Sequence, residues 1–290
     1  MLASPTGGGK TELCRQIDPK RFEVVSFDSR QVYKILSVGT AKPDKDTLSY
    51  IPHHLVDFLE PNERITAGFF VKKAEEAIED IYRRSKIPVI TCGTGFYLKA
   101  FLYGMYSVPE VDSEIKDKLQ KMTREERWEL LLAKDKIATE SIGFADDYRV
   151  MRALEVILSG NIKWSEIKQS KLEGFLDLKK PDVTGMLIYR ERQELYDRIN
   201  QRCKQMIESG ILEETKEVVV KYGENAPALN SLGYNFALDY INGKMSMESF
   251  LEEFSRSHRN YAKKQITWFK KERVLDTMNW ATALEKIKNI

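Results

Sequence analysis

Cysteine is scarce in this 290-residue sequence, which contains only three. Cys14, Cys92 and Cys203 are widely spaced and form no C-x-x-C pair, which argues against a disulfide framework and against a zinc site. The N-terminus shows no signal-peptide pattern, and no apolar run is long enough to span a bilayer. We therefore expect a protein of the reducing cytoplasm that has no contact with a membrane.

An excess of either charge is also missing. Lysine and arginine number 46 and aspartate and glutamate 44, which gives a formal net charge of +2. Any polyanionic partner must therefore meet a local basic patch rather than the whole surface. The 42% hydrophobic content is ample for a core, and the length fits one large domain or two moderate ones.

A glycine-rich stretch stands close to the N-terminus, where residues 3–13 read ASPTGGGKTEL. Gly7, Gly8 and Gly9 allow successive backbone N–H groups to point into one concavity. Lys10 adds a positive charge, and Thr11 offers a hydroxyl to a Mg²⁺ ion and begins a segment that can form a helix facing the same anion. The pattern predicts a phosphate-binding loop, and the alternative is a flexible glycine-rich tail.

The loop departs from the usual pattern G-x-x-x-x-G-K-[ST] at one position, because Ser4 stands where the first glycine belongs. A loop of this kind normally follows a buried strand of about five residues. Only residues 1–3 precede Ser4. We therefore expect the launching strand to be missing and the sequence to begin late.

Three short apolar runs predict buried parallel strands, at residues 21–27, 87–95 and 184–190. Residues 65–86 carry apolar side chains at helical spacing and predict a crossover helix between the first two strands. The predicted fold class is α/β, with a P-loop NTPase-like parallel sheet flanked by helices. Functional sites are expected at the carboxyl ends of its strands.

The stretch of residues 111–180 is rich in charge, helical in pattern and without a clear strand. It predicts a helical insertion domain that interrupts a core formed by residues 1–110 and 181–290. From Glu191 onward the chain is again helical, and one helix is expected to end at Gly210.

Two residues at predicted strand ends are candidates for chemistry. Asp28 is a candidate general base, or else a helix cap or a carboxylate near Mg²⁺. Thr94 can donate a hydrogen bond to a substrate, although a tight turn explains it equally. An ATP-hydrolysing protein needs an acidic residue at a strand end, and the second strand instead runs into Cys92, so only Asp28 keeps a kinase open.

In residues 256–273, lysines and arginines alternate with aromatic side chains. The sequence reads RSHRNYAKKQITWFKKER. A solvated helix face is the ordinary meaning of such a run, but the nearly uniform sign of charge favours contact with a nucleic-acid backbone. His258 within the run is predicted to lie on the surface. Arg190 and Arg192 follow the third strand and can reach phosphates or simply face solvent.

Taken together and in this order, several segments resemble the tRNA dimethylallyltransferase family. They read PTGGGKT, DSRQVYKILSVGTAKP, HHLVDFLEP, GTGFYLKAFLYG, RVMRALEV, LYDRINQRCKQMIESGILEE, SLGYNFALDYINGK and RNYAKKQITWFKKE, and they span nearly the whole chain. The loop differs from that family at Ser4, and also at Gly8, where the family usually has serine. These differences bear on the affinity for a diphosphate more than on the type of reaction.

The resemblance implies transfer of a dimethylallyl group from dimethylallyl diphosphate to N6 of the adenosine just 3′ of the tRNA anticodon, adenosine 37. By this resemblance Asp28 accepts the N6 proton, Thr94 binds near the reacting centre, and Arg192 neutralises the diphosphate together with Lys10. The implied cofactor is Mg²⁺ on Thr11. The implied diphosphate-binding residues are Thr6, Gly7, Gly8, Gly9, Lys10 and Thr11.

The resemblance also implies a tRNA anticodon stem-loop as partner, whose target base enters a channel between the sheet and the insertion domain. The implied contacts are Asp28, Ser29, Arg30, Gln31, Arg149, Arg152, Arg259, Lys263, Lys264 and Gln265. A monomer is expected. Two alternatives stay open, an inactive tRNA-binding relative and a P-loop small-molecule kinase.

Overall fold

A parallel sheet forms the centre of the protein in the computed structural model, which describes residues 1–106, 108–167 and 172–289. Within these residues six strands pair in the order β3-β2-β4-β1-β5-β6, every pair being parallel. The strands are β1 (Leu2–Ala3), β2 (Phe22–Phe27), β3 (His53–His54), β4 (Ile87–Cys92), β5 (Met186–Tyr189) and β6 (Asp276–Asn279). The predicted fold class is confirmed, and the three predicted strands are β2, β4 and β5.

The strand that launches the glycine-rich loop is present, so the expectation that it is missing is wrong. Leu2 pairs with Thr91 of β4 on one side and with Met186 of β5 on the other, which places β1 inside the sheet. Leu2 and Ala3 are both almost fully buried. Two residues suffice because the neighbouring strands supply hydrogen-bond partners on both edges.

Fifteen α-helices occupy the stretches of the described chain between and after the strands. They are α1 (Lys10–Cys14), α2 (Lys45–Tyr50), α3 (Ala67–Arg83), α4 (Gly95–Tyr103), α5 (Ser113–Lys121), α6 (Arg124–Lys134), α7 (Lys136–Ser141), α8 (Asp147–Gly160), α9 (Trp164–Ile167), α10 (Phe175–Lys179), α11 (Arg192–Glu208), α12 (Ile211–Tyr222), α13 (Tyr234–Ile241), α14 (Met247–Phe269) and α15 (Trp280–Lys288). Within the described part of the chain, no helix is long and apolar enough to cross a membrane.

The chain divides into two compact units, one of residues 1–101 and 181–290 and one of residues 102–180. The sequence predicts an insertion domain of residues 111–180, and the second unit also includes residues 102–110. The end of α4 and the residues that follow it pack within this second unit. A Cβ on Gly104, for example, would meet the carbonyl oxygen of Glu173 at 2.7 Å.

The larger unit holds its helices against the sheet through apolar side chains at helical spacing. Thr66 caps α3 by accepting a hydrogen bond from the backbone N–H of Phe69. The buried face of α3 includes Phe70, whose ring meets that of Phe27 on β2 at a centroid distance of 5.1 Å. Gly210 has a φ of 102° and separates α11 from α12, as the sequence predicts.

The smaller unit consists of helices within its described residues, in agreement with the helical pattern of its sequence. Leu119, Leu131, Val150 and Leu154 belong to its buried core. A capping box at Thr123 begins α6. These features give the unit a hydrophobic core of its own.

Candidate active site and phosphate-binding loop

The loop between β1 and α1 has the backbone geometry of a phosphate cradle. Gly7 and Gly9 have φ values of 78° and 97°, a left-handed conformation that residues with a Cβ rarely adopt. The backbone N–H of Gly8 donates to the carbonyl oxygen of Pro5 at 3.0 Å, which closes the turn. The loop therefore presents backbone N–H groups ahead of a helix N-terminus, an arrangement that favours an anion.

Lys10 lies beneath this loop rather than in solvent. Its Nζ donates to the carbonyl oxygen of Ser4 at 3.0 Å. Burial lowers the pKa of Lys10, and the nearby carboxylate of Asp28 opposes that shift. A bound anion would act in the same direction as Asp28 and stabilise the charged amine.

Two arginines of helix α11, Arg198 and Arg202, lie next to the loop. Arg198 donates from Nε to the carbonyl oxygen of Gly7 at 2.9 Å and pairs with Glu12. Arg202 lies 3.4 Å from the hydroxyl of Thr6, and burial lowers its pKa. Sequence reasoning missed both, although their spacing of four residues places them on one face of α11.

Arg190 and Arg192 take different positions from those predicted for phosphate contacts. Arg190 donates from Nε to the carbonyl oxygen of Gly8 at 3.1 Å, and its guanidinium lies 4.4 Å from the ring centroid of Trp280. It therefore supports the loop from outside. Arg192 is exposed, lies over the ring of Tyr196 at 5.2 Å and does not line the cavity next to the loop. Which arginine of α11 faces the loop depends on the rotation of the helix, and the sequence around each arginine does not determine that rotation.

Asp28 follows the end of β2 and Thr94 follows the end of β4, and these two strands are neighbours in the sheet. Oδ1 of Asp28 accepts a hydrogen bond from the backbone N–H of Arg30 at 2.9 Å. The hydroxyl of Thr94 accepts from the backbone N–H of Ser29 at 3.1 Å. A Cβ on Gly93 would lie 2.6 Å from Oδ2 of Asp28, so this glycine leaves room for the carboxylate.

Helix α14 covers this strand end with two polar side chains. Tyr261 donates from its hydroxyl to the carbonyl oxygen of Gly93 at 3.0 Å. Gln265 donates to the same oxygen at 2.7 Å and accepts from the backbone N–H of Thr6 at 2.8 Å. Gln265, which the resemblance implies as a tRNA contact, is buried, and both ends of its amide bond to the protein's own backbone.

The prediction that His258 lies on the surface is wrong, because this residue is buried, and burial lowers its pKa to about 4. Gln31, which the resemblance implies as a tRNA contact, lines the cavity next to the loop. Its amide nitrogen donates to the carbonyl oxygens of Thr40 and Ala41. Its amide oxygen accepts from the hydroxyl of Ser26 at 2.9 Å, so Gln31 holds the chain that follows it.

One cavity of about 1540 Å³ joins the loop and the strand ends. It is lined at the loop by Thr6, Gly7, Gly9, Lys10 and Thr11, and at the strand ends by Asp28, Ser29, Arg30, Gln31, Thr94 and Gln265. Arg198 and Arg202 also line it. The phosphate loop and the carboxylate of Asp28 thus border the same space.

The remaining residues predicted to contact tRNA do not line this cavity. Lys263 and Lys264 are exposed on α14, and Arg259 donates to the amide oxygen of Asn200 at 2.6 Å. In the smaller unit, Arg149 is exposed and forms an ion pair with Asp146, the N-cap residue of α8. Arg152 forms an ion pair with Glu155 of that helix.

The site fits a magnesium ion that is shared with a phosphate better than an ion held by protein alone. Mg²⁺ prefers oxygen ligands and is usually bound by few protein groups together with waters and substrate phosphates. Thr11 lines the cavity beside Lys10 and carries a hydroxyl that can serve as one such oxygen ligand. No cluster of three or more histidine, cysteine or acidic side chains suited to a metal occurs in the described part of the chain.

Comparison with known proteins identifies the family. The family model described as IPP transferase matches residues 31–272 of this chain. The chain belongs to the IPP transferase family. The resemblance read from the sequence is thereby confirmed.

Relatives with names align with all or nearly all of this family member. The tRNA dimethylallyltransferase of Leptospira interrogans is 48% identical over 291 residues, which cover 100% of this chain and 98% of the relative. The tRNA dimethylallyltransferase of Koribacter versatilis is 38% identical, with 94% and 89% of the two chains covered. The glycine-rich loop thus lies within the region shared with the Leptospira protein.

Solved structures agree with this assignment. A tRNA isopentenylpyrophosphate transferase from Staphylococcus epidermidis is 31% identical with a TM-score of 0.68, covering 99% of this chain and 96% of the other. A eukaryotic dimethylallyltransferase described as acting on tRNA is 26% identical with a TM-score of 0.82, covering 96% and 72%. The fold of these solved structures therefore matches nearly the whole of this chain.

Proposed function

We propose that this member of the IPP transferase family is a tRNA dimethylallyltransferase that modifies N6 of the adenosine just 3′ of the anticodon, adenosine 37, with dimethylallyl diphosphate as donor. The observation that carries the proposal is that the phosphate loop and Asp28 line the same cavity of about 1540 Å³. A reaction that releases a diphosphate at one end and accepts a proton at the other needs both groups in one space.

The loop is suited to stabilise a departing diphosphate. An allylic diphosphate ionises readily because its cation is delocalised, so the main task of the protein is to stabilise the negative charge of the leaving group. The backbone N–H groups around Gly7 and Gly9, with the buried charges of Lys10 and Arg202, provide that stabilisation. We assign to Arg198 the diphosphate contact that the resemblance implies for Arg192, because Arg198 lines the cavity and Arg192 does not.

A magnesium ion held by the Thr11 hydroxyl and the diphosphate would neutralise further negative charge on the leaving group. The position of Thr11 on the cavity supports this shared mode of binding, as does the lack of a cluster of three or more metal-binding side chains among the described residues. The protein's own contribution to the leaving group remains the loop and its cations.

Asp28 is proposed to accept the N6 proton of adenosine. The amine is a weak nucleophile because its lone pair is conjugated with the ring, so a carboxylate that takes its proton helps most while the new bond forms. Oδ1 of Asp28 is directed by the N–H of Arg30, and Gly93 leaves space beside Oδ2. Thr94 orients the turn at Ser29 and presents its hydroxyl to the same cavity.

The tRNA is proposed to present its target base to the Asp28 end of the cavity. Ser29 and Arg30 line that end. Exposed Lys263 and Lys264 on α14, together with Arg259, provide positive charge for phosphates of the anticodon stem-loop. Arg149 and Arg152 are proposed as further contacts from the smaller unit.

The protein is further proposed to work as a monomer in the cytoplasm. Cys14, Cys92 and Cys203 are all free and buried, which agrees with a reducing compartment. Burial raises the pKa of Cys14 to about 12, so this thiol stays protonated and unreactive.

The decisive experiment incubates the purified chain with Mg²⁺, dimethylallyl diphosphate and unmodified tRNA, followed by mass spectrometry of the nucleosides. A gain of one C5H8 unit on the adenosine beside the anticodon is expected. Binding of tRNA without any transfer would identify an inactive relative, and phosphoryl transfer from ATP without tRNA binding would identify a kinase.

A further inference from the structure

Gly8 differs from the two other glycines of the phosphate loop. Gly7 and Gly9 have left-handed backbones that require glycine, but the φ of Gly8 is not positive. Its backbone is therefore open to any residue that has a Cβ. The reason for glycine at this position must lie in the space around it.

The side chain of Ser4 occupies that space. A Cβ on residue 8 would lie 2.8 Å from the Cβ of Ser4, 2.7 Å from its Oγ and 2.9 Å from the carbonyl oxygen of Pro5. Ser4 has no exposed surface, so it cannot move outward. Rotation of its hydroxyl relieves the contact with Oγ but not the contact between the two Cβ atoms, and close-packed interiors do not absorb such an overlap.

Ser4 itself fits the loop without strain. Its φ is not positive, so serine is admitted at the position where the usual pattern has glycine. Its hydroxyl donates to the carbonyl oxygen of Pro5 at 3.0 Å and lies 3.4 Å from Nζ of Lys10. The same lysine donates to the Ser4 carbonyl oxygen at 3.0 Å.

We infer that Ser4 and Gly8 form one coupled pair, in which the Ser4 side chain fills the inside of the loop and excludes any side chain at residue 8. The two differences from the family's loop, serine at residue 4 and glycine at residue 8, then compensate each other. Residue 4 supplies the side chain and hydroxyl that residue 8 lacks. Ser4 is a positioning residue that sets the loop backbone and Lys10. This inference rests on the proposed function in taking a diphosphate as the loop's ligand.

A double-mutant cycle on the full chain tests the coupling. Gly8→Ala, Ser4→Gly and the double variant are compared with the wild type by calorimetric titration with inorganic diphosphate and Mg²⁺, and by the KM for dimethylallyl diphosphate. Gly8→Ala alone is expected to weaken diphosphate binding about tenfold, because overpacking distorts the loop. In the Ser4→Gly background both contacts with the Ser4 side chain are gone and the 2.9 Å contact with the Pro5 carbonyl oxygen remains, so the same change is expected to cost only about threefold.

Controls separate the steric effect from others. Gly68→Ala adds a Cβ that meets no atom within 4 Å and is expected to leave diphosphate binding unchanged. Ser4→Ala keeps the Cβ and removes the hydroxyl, so Gly8→Ala should remain damaging in that background. Affinity for tRNA, measured by filter binding, should stay the same throughout.

An equal loss from Gly8→Ala in the wild-type and Ser4→Gly backgrounds would overturn the inference, as would a Gly8→Ala variant that binds diphosphate normally. Should Gly8→Ala fail to fold, recovery of the melting temperature by Ser4→Gly supports the pair, and failure to recover it refutes the pair. A wild-type protein that binds no diphosphate would instead contradict the proposed function.

Discussion

Gln265 of helix α14 donates a hydrogen bond to the carbonyl oxygen of Gly93 at 2.7 Å, at the end of strand β4. The other end of the same amide accepts from the backbone N–H of Thr6 at 2.8 Å. One buried side chain thus ties the phosphate loop to the strand end beside Asp28. The distance between the two ends of the cavity depends on this bridge.

Gln265→Ala is expected to lower the free energy of unfolding by about 2 kcal/mol, because it leaves the Thr6 N–H without its partner in a buried place. Diphosphate affinity should fall with it, since the loop loses its tie to β4. Urea denaturation and calorimetric titration measure the two effects. Gln193→Ala, an exposed change on α11, serves as control and should alter neither. Unchanged stability in Gln265→Ala would contradict the bridge.

Asp28→Asn is expected to reduce kcat by a factor of about 10² to 10⁴, which is the contribution of a positioned general base. The amide oxygen of asparagine can still accept from Arg30 N–H, so the turn and the affinity for tRNA should be kept. Single-turnover transfer to tRNA gives the rate, and filter binding gives the affinity.

Asp18 offers a matched control, because its Oδ1 accepts from the backbone N–H of Lys20 at 2.9 Å in the same local geometry on the surface. Asp18→Asn should transfer at the wild-type rate. A wild-type rate in Asp28→Asn would remove the base from the proposed mechanism.

The fold was predictable where the sequence pattern is local and long. The runs of β2, β4 and β5 are rich in β-branched and aromatic residues, and the spacing in α3 shows its buried face. Strand β1 escaped prediction because two residues carry no periodicity and are held only by their neighbours.

The site was predictable in part for the same reason. The loop glycines and Asp28 are marked by their own neighbours along the chain. The roles of Arg198, Gln265 and His258 depend instead on which way α11 and α14 are turned against the sheet. From its sequence, the run of lysines and arginines in α14 is expected to be exposed along its whole length. In the structure, His258 and Gln265 lie on the buried side of this helix.

Lys263→Ala combined with Lys264→Ala is expected to weaken tRNA binding and to reduce its salt dependence. Each phosphate contact that is lost lowers the slope of log affinity against log salt by about 0.7 to 0.9, so a decrease of roughly 1 to 2 is expected. Filter binding over a range of KCl concentrations measures the slope. The exposed pair Lys286→Ala and Lys288→Ala on α15 is the control, and an equal effect there would show that only net charge matters.

The chain that follows Gln31 is also held from outside, by Glu214 on α12. Its carboxylate accepts from the backbone N–H groups of Ser37 and Val38 at 2.8 and 2.7 Å, and from the hydroxyl of buried Tyr234 at 2.7 Å. Residues 39–42 of this stretch line the cavity. Glu214 therefore fixes one wall of the proposed tRNA end.

Glu214→Gln is expected to lower kcat/KM for tRNA about tenfold through the loss of charge-assisted hydrogen bonds, while affinity for inorganic diphosphate is retained. Steady-state transfer at varied tRNA and calorimetric titration measure the two quantities. Glu217→Gln removes an exposed carboxylate one turn away and should leave both unchanged. An equal loss of diphosphate affinity in Glu214→Gln would point to general unfolding instead of a displaced wall.

At the opposite end of β2, Glu23 lies beside two cationic side chains and a histidine. Its buried carboxylate lies 2.7 Å from Nη2 of Arg84, 2.7 Å from Nε2 of His54 and 3.1 Å from Nζ of Lys86. Burial by itself would raise the pKa of Glu23, but the hydrogen bonds from these groups outweigh it and lower the pKa from 4.5 to about 2.

A carboxyl whose pKa is lowered by folding stabilises the protein above its unfolded pKa and ceases to do so as the pH falls through its folded pKa. Glu23→Gln should therefore cost about 2 to 3 kcal/mol at pH 7, and the difference from wild type should shrink as the pH falls from 4.5 towards about 2. Urea denaturation at a series of pH values gives this difference directly. Glu285→Gln, an exposed change on α15, should follow the wild-type curve at every pH. A difference between Glu23→Gln and wild type that is independent of pH would mean that packing, and not the ionised carboxylate, stabilises this end of the sheet.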